Sequence, residues 1–141
     1  MTTDTDSSRW AVTVVLVGRL IFAAVFIMAV SFKLYDIKGT AGYIASAGFP
    51  LSTLLAWLAV IFELVLVACF LTGVYFSEAA LLAAAYVIFL AFAFHGPSHW
   101  AGNQAEFGFF VDHFTFMAGL FFAAAHGPGR VLSLKAGLIR R

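Results

Sequence analysis

Apolar positions in this chain come in long blocks separated by short polar ones, with no sustained alternation of period two. Four blocks are each long enough to cross a hydrocarbon core of roughly 30 Å, which takes about 20 helical residues. They run from Trp10 to Phe32, Leu51 to Leu71, Phe76 to Phe94 and Phe107 to Ala125. In lipid every backbone amide must find its partner inside the protein, which leaves helices or a closed barrel, and blocks of this length select helices. The pattern predicts an all-α integral membrane four-helix bundle.

The polar breaks differ. Asp36 to Pro50 contains Ile37, Tyr43, Ile44 and Phe49 among glycines, a composition that suits a short interfacial helix over Ala41 to Ala47, stopped by Gly48 and followed by Pro50 at the start of the second span. Gly73 marks a tight turn between spans two and three. His95 to Glu106 is a longer loop carrying Gly96-Pro97 and Gly102-Asn103, and Gly127-Pro128-Gly129 ends span four. The expected organisation is a disordered tail over 1–9, a four-span domain over 10–129 and a basic tail over 130–141. Met1 to Ser8 lacks the basic start of a secretory signal.

Composition sharpens this picture. Of 141 residues, 63% are hydrophobic and 11% charged, well below the charge that a water-facing domain carries, so lipid is the expected partner over most of the surface. A net charge of +1 points away from nucleic acid, whose binding needs a concentrated basic face. Cys69 is the single cysteine, which excludes an internal disulfide. Basic residues gather at the ends, with Arg9 before span one and Arg130, Lys135, Arg140 and Arg141 after span four. The positive-inside rule then places both termini in the cytoplasm, in a multi-pass protein of the cytoplasmic (inner) membrane.

Charges within spans are the candidates for chemistry. Arg19 lies nine residues beyond Trp10 and Glu63 ten residues before Gly73, each about 15 Å from the same end at helical rise. Equal depth predicts a buried ion pair, read as a packing clasp, as a proton-accepting carboxylate, or as a charge anchoring a polar ligand headgroup. At the opposite end Lys33, His95, His99, Asp112 and His113 gather by topology. Three readings stay open for them: interfacial anchoring, hydrogen bonding to a quinone carbonyl, or a transition-metal site. No HxxxH or HExxH motif on an uninterrupted helix supports the metal, and His126 belongs to the other face.

Gly18-Arg19-Leu20-Ile21-Phe22, Phe32-Lys33-Leu34, Gly48-Phe49-Pro50, Phe62-Glu63-Leu64, Leu71-Thr72-Gly73 and the closing Gly127-Pro128-Gly129-Arg130 follow one another as in the DoxX family of small four-helix membrane proteins, which the chain resembles from about Arg9 to Leu134. The resemblance implies a membrane subunit associated with redox chemistry, since relatives include the membrane subunit of a thiosulfate:quinone oxidoreductase and partners of thiol and superoxide defence enzymes. It carries the family's recurrent polar residues onto Arg19, Lys33 and Glu63. The departure lies in span four, where Asp112-His113 stands in place of the usual Lys-Asn pair. The expected function is a subunit lining a quinone or electron-acceptor site beside other membrane or peripheral redox subunits. A non-catalytic scaffold or assembly subunit of a larger membrane complex and a small transporter are the alternatives, and a homo-oligomer is a further possible association.

The charge distribution is directly testable. A cysteine placed at Gly102 is expected to react with an impermeant thiol reagent from outside intact cells, and labelling only after lysis would reverse the orientation.

Overall fold

The computed structural model describes residues 3–134 and 136–139, and its helices are α1 (Thr3–Tyr35), α2 (Ile37–Ser46), α3 (Ser52–Thr72), α4 (Phe76–His95) and α5 (Gln104–His126), with a 3-10 turn at Pro97–His99. Four stretches are long and apolar enough to cross a membrane: Arg9–Tyr35, Ser52–Thr72, Phe76–His99 and Gln104–His126. The expected all-helical four-span bundle is therefore what the chain forms. Helix α1 starts at Thr3, inside the stretch read as a disordered tail.

Small residues decide which helix is central. Ala79, Ala80, Ala83, Ala84, Val87 and Ala91 are buried along α4, and a small-residue face lets neighbouring backbones approach closely where packing, not water, drives association. Around it Phe22, Phe26, Phe70 and Phe116 form a ladder of rings, with centroids 5.4 to 5.8 Å apart. The exposed large side chains, Val14, Leu58, Ile61 and Phe122 among them, are the lipid-facing surface.

The first span breaks at Asp36, whose carboxylate caps α2 by accepting from the Gly39 amide at 2.8 Å. An Asp at this position offers the backbone an alternative to continuing the first helix. Helix α2 begins earlier than the sequence pattern suggests. It packs Ala41 and Ile44 against Ala56 of α3.

After α5 the chain does not run off as a free basic tail. The stretch from Pro128 to Ile139, here called the strap, folds back across the α3–α4 turn. The Leu134 amide donates to Thr72 O at 2.8 Å, and the Tyr75 amide donates to Ala136 O at 2.7 Å. Glu78 accepts from the amides of Leu138 and Ile139. Lys135, Arg140 and Arg141 lie outside the described residues.

Gly73 makes this closure fit. Its φ is +77°, and a Cβ there would stand 2.5 Å from Ser133 Oγ and 3.2 Å from Pro128 Cβ. Gly73→Ala is expected to cost at least about 1 to 2 kcal/mol from the left-handed backbone alone, whereas Gly42→Ala meets open space inside α2. Thermal unfolding in detergent should separate the two variants, and equal midpoints would contradict the strap's packing.

Candidate functional site: a cavity above a buried carboxylate

Glu63 stands at the middle of α3 and is 1% exposed. A lone charge there would be costly, and two groups meet it. Lys33 Nζ lies 2.9 Å from its Oε1, and the Tyr86 hydroxyl donates to the same oxygen at 2.8 Å. Tyr86 is likewise near the middle of α4, so the cluster lies deep in the bundle. Its Oε2 is buried with no hydrogen-bond partner.

Arg19 is not Glu63's partner. It is 1% exposed and donates through its two terminal nitrogens to Pro128 O and Leu132 O, both at 2.8 Å. The expected Arg19–Glu63 pair is thus replaced by two separate clasps. The reason is register. Fourteen residues separate Arg19 from Lys33 on α1, about 21 Å along the axis. The apolar run from Trp10 begins well before the level at which α3 ends, so counting depth from its edge placed Arg19 too deep.

Above the carboxylate lies a cavity of about 830 Å³. Lys33, Phe62 and Tyr86 line its inner end, Tyr43, Phe49, Phe89 and Phe94 its walls, and His95 and His113 its outer part. Tyr43 and Phe94 stack at 4.9 Å, and Phe49 packs its edge on Phe89 at 5.8 Å. Phe32, Leu58 and Phe89 line it and are at least half exposed, so the cavity opens at the surface of the bundle. Burial, together with the Glu106 carboxylate, pushes the Tyr43 phenol up from its ordinary range.

The outer histidines divide. His95 and His113 come together with ring centroids 5.2 Å apart. His95 Nδ1 meets Glu106 Oε2 at 2.6 Å, and His113 Nδ1 meets Phe109 O at 2.6 Å. Carboxylate and carbonyl oxygens only accept, so both Nδ1 atoms carry hydrogen and each Nε2 is left for a ligand. The Trp100 indole donates to His95 O at 2.8 Å and packs on Phe107 and Phe110, which pins the loop.

His99 points away, exposed in the 3-10 turn with Ser98 Oγ as its neighbour at 3.3 Å. Asp112 is exposed too. Consecutive helical residues do not share a face, so a helix that turns His113 inward turns Asp112 outward. Among the described residues no three His, Cys, Asp or Glu side chains gather as a metal would need. Sequence reasoning missed Tyr86, although a hydroxyl in an apolar span must find an acceptor, and it missed Glu106 as the partner of His95.

A four-span helical bundle with a mid-membrane Lys-Glu-Tyr cluster beneath an aromatic cavity defines a small membrane protein with an internal polar site. The chain belongs to the DoxX family, whose model matches residues 14–96. That match takes in α2, α3, α4 and most of α1, and it stops before α5. Comparison with curated proteins and with solved structures gives no match.

The assignment of partners makes a pair of double-mutant cycles informative. Lys33→Met alone should destabilise by about 3 to 5 kcal/mol, because it strands a buried carboxylate, and adding Glu63→Leu should recover much of that loss. Arg19→Leu with Glu63→Leu should instead add to within about 0.5 kcal/mol, as distant sites do. Coupling as large in the second cycle as in the first would overturn the two-clasp assignment.

Proposed function

We propose that this DoxX-family protein is the membrane subunit of a redox complex of the cytoplasmic membrane, and that its cavity holds a quinone as the electron acceptor of a partner subunit. The observation that carries the reading is the convergence of Lys33 and Tyr86 on one buried carboxylate at the inner end of an aromatic-walled cavity. A cavity of about 830 Å³ lies within the range of roughly 300 to 1,000 Å³ typical of small-molecule sites. Its aromatic lining suits a flat ring, and its opening at the surface of the bundle suits a ligand that arrives from the bilayer.

The polar groups suit carbonyls. The Lys33 ammonium has three hydrogens. One lies toward Glu63 and a second, at 3.4 Å, toward Ala29 O, which leaves a donor for a ligand oxygen. At the outer end the Nε2 atoms of His95 and His113, acceptors when Nδ1 carries the ring hydrogen, would accept from the hydroxyl of the reduced ring. Quinone reduction takes up protons along with electrons. Lys33, which lines the cavity and is held by the Glu63 carboxylate, would give a proton to the reduced carbonyl oxygen and regain it from solvent.

The test is quinone extraction and titration on gently solubilised protein, wild type against Tyr86→Phe and His113→Ala. His113→Ala should lose affinity for the reduced quinol by about five- to tenfold, the worth of one hydrogen bond of about 1 to 1.5 kcal/mol, and Tyr86→Phe should weaken quinone binding by freeing Glu63 Oε1 to draw the Lys33 hydrogens away from the ligand. Unchanged affinity in both, or no quinone retained by the wild type, removes the reading.

A further inference from the structure

A separate feature lies at the other end of the bundle, where the strap crosses beneath the spans. Its backbone is tied to the bundle at Arg19, Thr72, Tyr75 and Glu78, so the strap is held at the level where α3 ends and α4 begins. Among its described residues the leucine side chains turn outward. Leu132 is 74% exposed, Leu134 63% and Leu138 79%, although apolar groups at a water-facing end would ordinarily turn inward.

Charge completes the pattern. Arg130 is exposed, and the sequence adds Lys135, Arg140 and Arg141 with no acidic residue anywhere from Gly127 onward. Glu78 accepts from the strap's amides at Leu138 and Ile139. Asp4 and Asp6 belong to the far start of α1. Val15 is the α1 residue that meets Gly129, and Asp6 stands nine residues beyond it, about 14 Å further out.

We infer that the strap is an interfacial anchor for an anionic lipid leaflet, its leucines entering the acyl boundary and its basic residues meeting phosphate headgroups. A segment held at the end of the spans, apolar on its exposed side chains and basic in net charge, has the composition of a membrane-surface element. Arg19 is a positioning residue here, since it fixes the strap's carbonyls and does not reach lipid. The inference is independent of what the cavity binds.

The experiment places a single environment-sensitive fluorophore on Leu138→Cys in a Cys69→Ala background. The full chain is reconstituted in phosphatidylcholine vesicles, with and without phosphatidylglycerol. The label should report an apolar surround, quenchable from nitroxide lipids, most strongly in the mixed vesicles, and raised salt should weaken it. Arg130→Gln and Arg140→Gln should each lower the buried-to-exposed ratio about five-fold in the mixed vesicles and leave thermal stability in detergent unchanged. A water-like signal in both vesicle types overturns the anchor. Equal burial in both types, insensitive to the two Gln variants, overturns the anionic preference.

Discussion

A carboxylate at the centre of a membrane span must be neutralised or hydrogen-bonded within the protein, and Glu63 sets that condition for everything around it. One oxygen takes both Lys33 and Tyr86, which fixes the end of α1 and the middle of α4 against the middle of α3. Lys33 can serve only if its helix stops nearby, because a long basic side chain in a continuous apolar helix would reach for the interface instead. The helix does stop, at Tyr35, and Asp36 caps the next one. Irregular backbone at membrane depth is tolerated where it lines a cavity. Here Asp36, Gly39 and Thr40 line the same cavity as Lys33. The break, the ion pair and the cavity are one arrangement.

The second clasp solves a different problem. Arg19 brings a buried cation that no described carboxylate meets. Its Nε has no partner among the described residues, while its two terminal nitrogens donate to two carbonyls past the end of α5. That is the negative end of a helix dipole, where a cation is favoured. Arg19 thus ties α1 to the chain after α5 and holds the strap across the α3–α4 turn. The two charged clasps stand about 21 Å apart on α1. One organises the interior and the other closes an end.

The span pattern was legible because hydropathy is additive: block length and lipid's demand for internal hydrogen bonds give four helices whatever their partners. The polar partners were not, because a pairing depends on the register between helices, and a long apolar run such as Trp10 to Phe32 does not mark where the bundle begins. Arg19 and Glu63 were both found as buried charges, and Lys33 was assigned to the opposite end from Glu63 although the two touch. His113 was found for the right reason, its return to the level of His95, while Asp112 was carried along by sequence adjacency that a helix does not honour. Tyr86 was passed over as one more aromatic in a chain rich in them.

The division of the cavity between elements bears on what it can select. Lys33, Glu63 and Tyr86 all fall within the residues matched by the family model, 14–96. The outer end is completed from α5, where Glu106 holds the His95 ring and His113 contributes its own, and α5 lies beyond that match. On the proposed reading the inner end meets the reacting carbonyl and supplies the proton, a task set by chemistry and indifferent to substituents. The outer end meets the far edge of the same ring, where quinones differ from one another. Discrimination at a polar contact is large when a built polar group is left unpaired by the wrong ligand. On that reading the His95–His113 pair, both rings lining the cavity with their Nδ1 atoms engaged, is where this chain's choice among acceptors would reside.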